Sequence, residues 1–325
     1  MKGSPMKIDR FVLAIIAIII IAYFFPEWGN ENSKIPLDRI SSIGISLIFF
    51  FYGLKLSGSK IKDGLKNWKL HLLVQASTFI LFPLIIIACK PLAHSNEAET
   101  FWLSFLFLAA LPSTVSSSVV MVSIAKGNIP AAIFNASISG LIGIVLTPIW
   151  MELFLPKITT SDFDLGAIYI KLIIEILIPV LLGLLLQRFW GKYTSIYKTQ
   201  LTMFDKSIIL LIIYKSFAES FENNIFSEVS ITDLLLISAI LVGLFYLVFY
   251  LTGFISNLLG FNTEDKITAQ FCGTKKSLVH GTVFSKILFP TNFPIGMVLL
   301  PLMIFHAMQI FIISIIATKL GQRHN

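Results

Sequence analysis

Charge is scarce in this chain. Asp, Glu, Lys and Arg make up 13% of its 325 residues and 56% are hydrophobic, whereas a soluble domain carries about 25% charged and about 45–50% apolar residues. With a mean hydropathy of +0.84, a pair of water-soluble domains is excluded, because neither could hide so much apolar surface. Cysteine is scarcer still. Cys89 and Cys272 both lie in apolar stretches, too few for a disulfide framework or a zinc site. Also missing are H-E-x-x-H, G-x-x-x-x-G-K-S/T and a dinucleotide fingerprint. Paired aspartate-rich motifs are absent and Ser118 lacks the glycine flanks of an intramembrane-protease serine, so neither an enzyme, nor a cofactor, nor a resident metal is expected. A sequence pI near 9.3 suggests nucleic acid until the charges are placed. No basic run interleaved with aromatics is present to follow a phosphate backbone, so no nucleic-acid partner is expected.

What is plentiful is apolar length. Segments near 9–25, 37–56, 68–89, 101–125, 130–155, 165–187, 203–221, 231–259, 266–289 and 293–318 each approach or reach the roughly 20 residues that span a bilayer. The first begins with Lys and Arg like a signal peptide but ends in Tyr23, Phe24, Phe25, Pro26 and Glu27, not in a small-residue cleavage site, and reads as a retained helix. Positive charge collects on one side: Lys2, Lys7 and Arg10, Lys55 to Lys69, Lys126, Arg188 to Lys206, Lys266, Lys319 and Arg323. Lys34, Arg39, Lys90 and Lys157 are all that the opposite loops hold. The positive-inside rule then puts both termini in the cytoplasm, with an even number of spans. The expected fold class is an all-α polytopic membrane protein, a single transporter domain over 1–325 in the lipid bilayer, monomer or homodimer. It is read as two inverted five-helix repeats at about 9–155 and 165–318.

The fourth and ninth segments hold equivalent places in the two halves, and both are interrupted. LPSTVSSS (Leu111 to Ser118) breaks one and FCGTKKSLVHG (Phe271 to Gly281) the other. Paired broken helices point to a binding site at mid-membrane. Counting nine residues inward from Lys126 and Lys266 reaches Ser117 and Lys275, each roughly 13–14 Å deep at about 1.5 Å per residue. The two polar breaks are expected to meet.

LPSTVSSSVVMVSIAKGNIPAAIFNASISGLIGIVLTP (Leu111 to Pro148) resembles the fourth and fifth helices of the bile acid:sodium symporter family. FCGTKKSLVHGTVFSKILF with IGMVLLPLMIFHAMQI (Phe271 to Ile310) resembles the ninth and tenth helices of its bacterial-symporter branch, related to the seventh member of vertebrate solute carrier family 10. The resemblance extends over the whole chain, and its motifs PSTV-SS, AKGN and CG-KKSL are short but jointly distinctive. It implies ten helices, a panel and a core domain with crossing helices four and nine, and organic-anion uptake with sodium. It also implies a bacterial inner-membrane location. One departure stands out. Where sodium-coupled relatives carry glutamate, glutamine and asparagine along the ninth helix, this chain has Phe271, Lys275 and Lys276. An ammonium offers Na⁺ no acceptor, so sodium is not expected there. Gln75 in QASTFILFP does match a family sodium-site glutamine.

A cation at the bilayer centre costs roughly 2.5–3.5 kcal/mol on insertion scales. Lys275 and Lys276 therefore either brace carbonyls of the fourth helix or face the cavity as anion ligand or sodium surrogate. Pointing about 100° apart on a helix, the two have different tasks. Thr114, Ser116, Ser117, Ser118, Thr274 and Ser277 supply hydroxyls at the breaks, for backbone, solute or both. Asn135 and Ser139 share a helix face, as substrate contacts or interhelical glue. His306, near Gln309, is a further substrate-site candidate. Glu175 is the deep acid, one turn from Lys171 with Lys215 on the next segment, either a paired structural carboxylate or a titrating coupling group. Gln75, Glu175, Lys275 and Lys276 are the coupling candidates. Half-helices are expected to begin at Ser116 and Lys276, their positive ends aimed at an anionic solute. A transporter of a small or amphipathic organic anion follows. The alternatives are a membrane sensor on the same scaffold and a symporter with sodium relocated near Gln75.

Overall fold

The computed structural model describes residues 10–29, 36–55, 67–92, 95–114, 116–155, 170–171, 173–222, 224, 230–289 and 293–322. They are helical almost throughout, with no strand among the described residues. In chain order the helices are α1 (Arg10–Phe24), α2 (Leu37–Lys55), α3 (Trp68–Ala88), α4 (Asn96–Ala110), α5 (Ser116–Ile124) and α6 (Ile129–Phe154). Then follow α7 (Ile173–Ile196), α8 (Lys198–Glu222), α9 (Ile231–Leu258), α10 (Thr263–Gly273), α11 (Leu278–Leu288) and α12 (Ile295–Gly321).

Their ends are written in the sequence. Ser95, Asn128, Asn262 and Ser277 each accept a backbone N–H from three residues on, and Ser230 with Asp233 forms a capping box, the local chemistry that starts a helix. Among the described residues, six helices are long and apolar enough to cross a membrane: α2, α3, α6, α7, α9 and α12. The interrupted segments fall short of that length because each is split, α4 from α5 and α10 from α11. Large apolar side chains such as Leu72, Leu185 and Phe254 stand exposed on the outer faces, where lipid tails would cover them.

Two packing groups emerge. In one layer α1 lies along α8, and α2 lies along α7 and α8. A β-carbon at Gly53 would overlap the Val180 carbonyl oxygen, and one at Gly183 the carbonyl oxygen of Phe50. The α2 and α7 backbones therefore touch, as small residues permit in membrane helices. The other helices pack around the two breaks, with α12 against α4, α5, α9 and α11. The layer joins this body where α8 packs on α11 and α12. Asp38 of α2 adds a polar tie, pairing with Lys215 of α8 and, at 3.2 Å, with Lys286 of α11.

That tie corrects one expectation. Lys215 pairs with Asp38 and with Glu219 at 3.1 Å, not with Glu175. Glu175 sits in a π-wound stretch, Ile173–Leu177, and its buried Oε2 has no hydrogen-bond partner. The α-helical spacing that would align it with Lys171 does not hold through a π turn.

Gly53→Val or Gly183→Val is expected to lower stability by about 1–3 kcal/mol or more through overpacking. Gly243→Ala, with nothing within 4 Å of a new β-carbon, should stay within about 0.5 kcal/mol of wild type. Thermal unfolding and size-exclusion profiles of the detergent-purified variants test this. A wild-type melting profile for either valine variant would refute the close approach.

Candidate functional site

Proline ends the first half of the fourth segment. Pro112 forces Leu111 into an extended conformation (φ −71°, ψ 150°), as a residue before proline prefers. The Ser113 N–H, which a continuous helix would give to Ala109, instead reaches Ser139 Oγ at 3.0 Å. On the ninth segment, α10 stops at Gly273 and α11 resumes at Leu278, with Ser277 as its cap. The second half-helix thus begins two residues later than expected, because Ser277 supplies the capping oxygen. The breaks meet directly. Ser277 N donates to Pro112 O at 2.9 Å and Ser113 Oγ to Cys272 O at 2.7 Å.

Lys276 holds the crossing together. Its fully buried Nζ donates to Thr78 O at 2.7 Å, Ala109 O at 2.5 Å and Leu111 O at 3.0 Å. It also lies 4.3 Å from the ring centroid of Phe82. An ammonium has three donors, and all three are used. Two prolines make those carbonyls available. Pro112 leaves Ala109 O and Leu111 O outside any helical ladder. In α3 the stretch Ser77–Leu81 is π-wound, with Phe82 N–H bonded back to Ser77 O. Thr78 O would then need an N–H from residue 83, which is proline and has none. Phe79 O, the usual partner of that missing N–H, is taken by Trp150 Nε1 at 2.8 Å. Gln309 of α12 clamps the Lys276 backbone from the far side, accepting from its N at 2.9 Å and donating to its O at 2.8 Å.

Lys275 is differently placed. It too is fully buried, yet among the described residues its Nζ makes a single hydrogen bond, to Ser117 Oγ at 3.3 Å. Ser117 Oγ lies 2.8 Å from Thr114 Oγ1, which lies 3.0 Å from Ser118 Oγ. Lys275 therefore faces a patch of hydroxyls at the start of α5 with donors to spare. Of the sequence candidates, Thr114, Ser117, Ser118 and Lys275 come together, and Ser139 and Ser277 brace the break beside them. Thr274 Oγ1 bonds to Gln270 O at 2.6 Å within its own helix. The side chain of Ser116 lies outside the described residues.

Asn135 belongs to another cluster. Its Oδ1 accepts from Gln75 Nε2 at 3.1 Å, and its Nδ2 lies 2.9 Å from His71 Nδ1. Gln75 Oε1 is buried without a hydrogen-bond partner. His306 Nδ1 is 3.2 Å from Gln309 Nε2 and its ring contacts Phe11. Sequence reasoning missed Ser113, His71, Phe82 and His280. The first three act through partners far along the chain; His280, bonded to Ser277 three residues before it inside the FCGTKKSLVHG motif, carried a local signal.

The profile of the SBF-like CPA transporter family matches residues 9–322. Protein PA2026 of Pseudomonas aeruginosa is 38% identical over 317 residues, 98% of this chain and 94% of its own length. YfeH of Escherichia coli K12, whose name puts it forward as a symporter, is 36% identical over 313 residues, 96% of this chain and 92% of its own. Sodium/bile acid cotransporter 7 of Danio rerio is 30% identical over 318 residues, 96% of this chain and 94% of its own. The chain belongs to the SBF-like CPA transporter family, an integral membrane transporter and not an enzyme.

The two lysines should separate in mutagenesis. Lys276→Met strips three buried acceptors of their donor, at about 1–3 kcal/mol each, and is expected to cost at least about 3 kcal/mol. Lys275→Gln loses one hydrogen bond and a buried charge, and should stay within about 1.5 kcal/mol of wild type. Melting curves of both variants in the same detergent decide it. Equal losses would show that both lysines are structural.

Proposed function

We propose that this member of the SBF-like CPA transporter family is a secondary transporter of a small or amphipathic organic anion. It works by alternating access and does not use Na⁺ at the ninth-segment crossing. One observation carries the reading: the buried Lys275 ammonium, beside the α5 hydroxyls, has a single hydrogen-bond partner among the described residues. A buried cation short of partners is costly, and an anionic group of a solute is its natural complement. The start of α5 adds the positive end of a helix dipole and first-turn N–H groups that have no partner within their own helix.

The architecture proposed with it is ten spans in two inverted halves, 9–155 and 165–318. Both termini are cytoplasmic and the membrane is a bacterial inner membrane. Support comes from the placing of the helices: α1 and α2 open the first half, α7 and α8 the second, and these four share one layer while the broken segments cross in the other body. The charge asymmetry of the loops supports the orientation.

The case against sodium rests on Lys276. Three carbonyls at 2.5–3.0 Å form the kind of oxygen cage that a hard cation takes, and the tethered ammonium already fills it. A second reading has its own observation. Gln75 Oε1, a buried acceptor lacking a partner beside Asn135, is a place where sodium could bind away from the crossing.

Thermal-shift measurements against a set of organic anions in sodium and in choline buffers should show stabilisation by an anion that is equal in both. Uptake of that anion into proteoliposomes should proceed without a Na⁺ gradient, by exchange, down its own gradient or with protons. Strict Na⁺ dependence would overturn the sodium-free reading and favour the Gln75 site. Stabilisation by amines alone would overturn the anion reading.

A further inference from the structure

One face of α7 changes character along its length. Ile178, Leu182 and Leu185, spaced by four and three residues, stand exposed on it, a stripe that lipid tails would cover. The same spacing carried onward gives Arg188 and Lys192, both exposed. At about 1.5 Å per residue these two stand roughly 5 and 10 Å beyond Leu185. Headgroups occupy that zone outside the hydrocarbon core.

The helix then runs on to Ile196, and after Tyr197 alone α8 begins at Lys198. None of the residues from Arg188 to Met203 in this elbow is buried. The stretch has no acid anywhere between Glu175 and Asp205. Among the described residues no carboxylate pairs with Arg188, Lys192 or Lys198. The Arg188 guanidinium lies 4.5 Å from the ring centroid of Phe189 instead, and Lys192 Nζ 5.2 Å from that of Tyr193. The tip is apolar where a turn facing only water would be polar: Ile196 is 65% exposed and Met203 64%. Both arms are rooted in the layer of α1, α2, α7 and α8. Trp190 meets Phe50 of α2 edge-on at 6.3 Å, and on the returning arm Phe204 meets Phe51 while Asp205 pairs with Lys55 at 3.4 Å.

Cations interleaved with aromatic rings, at the end of a stripe that faces lipid tails, suit the surface of a membrane with negative headgroups. A second copy of the chain suits this face poorly. Two-fold pairing would set the same patch against itself, cations against cations with no acid between them.

We propose that the α7–α8 elbow is a binding surface for anionic phospholipid. The tails lie along Ile178, Leu182 and Leu185. Arg188 and Lys192 hold the phosphate, Arg188 with the planar fork that matches its oxygens. Lys198 and Tyr197 meet the neighbouring headgroup. Lipid held there fixes the depth of the layer in the membrane, since α7 touches the α2 backbone at Gly53 and Gly183. The inference does not depend on which solute is carried.

The test follows the unfolding temperature of the detergent-purified, full-length protein during titration with phosphatidylglycerol or with phosphatidylcholine of the same chains. Each cation near an anionic surface is worth about fivefold, so phosphatidylglycerol should act at a concentration about tenfold or more lower at about 50 mM salt. The two lipids should converge at about 500 mM, where the charges are screened. Arg188→Gln, Lys192→Gln and Lys198→Gln combined should abolish the preference. Lys69→Gln, Lys266→Gln and Lys319→Gln combined remove the same charge from other loops and should keep it. The elbow cations are exposed, so their variant should melt like wild type without lipid. If it does not, Lys192→Gln alone, expected to lose about fivefold, decides. Equal loss in both triple variants would make the effect one of net charge, and a preference that survives in the elbow variant would place the lipid elsewhere. Either result, or no preference in the wild type, overturns the proposal. So does equal stabilisation by inorganic phosphate, which marks a small-anion site, or a dimer that separates when the elbow is neutralised, which marks a contact between copies.

Discussion

A single ammonium fixes the geometry at the centre of this protein. Lys276 Nζ reaches carbonyls on α3, at the end of α4 and in the break after it, and among the described residues no other side chain hydrogen-bonds to all three. Each carbonyl is free because a proline has removed or displaced its helical donor. The two prolines and the lysine are one device written at three distant points of the sequence. Without the prolines, Lys276 would be an unpaired charge in an apolar body. Without the lysine, the prolines would leave buried acceptors unmet, which a protein surrounded by lipid tolerates poorly. Gln309 completes the arrangement by satisfying both backbone groups of Lys276.

The crossing then separates the labour of two adjacent residues. Lys276 points into the cage and is saturated. Lys275 points toward the α5 hydroxyls and is not. Ser113, Ser139 and Ser277 hold the break itself, through Cys272 O, Ser113 N and Pro112 O. Hydroxyls that a sequence reading would assign to solute therefore spend much of their capacity on backbone. Membrane proteins place irregular backbone at depth only where neighbouring groups re-satisfy it, and here serines share that task with Lys276 and Gln309.

Much of this was legible because helix geometry converts residue counts into depth. Ser117 and Lys275, each nine residues from a boundary lysine, are the pair whose side chains meet at 3.3 Å. The breaks were legible from proline, glycine and hydroxyl clusters. What was not legible is direction and long-range pairing. Adjacent lysines are equivalent in a sequence; only the orphan carbonyls of α3 and α4 tell them apart, and those arise from a π turn that no periodicity announces. The expected pairing of Glu175 with Lys171 and Lys215 failed for the same reason, because a π-wound stretch shifts its side chain off the α-helical register. Lys215 found Asp38 across 177 residues, a distance at which local spacing rules say nothing. Asn135, read with Ser139 as a solute contact or interhelical glue, bonds across to Gln75 and His71 of α3.

The placing of a fixed cation has a thermodynamic consequence for energy coupling. A gradient drives a transporter only through a ligand that exchanges with the two solutions and binds one conformation more tightly than the other. An ammonium on a side chain neither leaves nor arrives, so it has no chemical potential difference to contribute. It can lend its field to the half-helices and brace the crossing equally in every state. In the sodium-free reading, Lys276 thus keeps the structural benefit of a bound cation and gives up its coupling. The driving force must then enter through the solute itself, through a counter-solute, or through a proton on a group that changes partners between states. Lys276, with its three donors committed, is poorly suited to that last task. Lys275, held among the described residues by one hydroxyl, has donors left for such a change of partners.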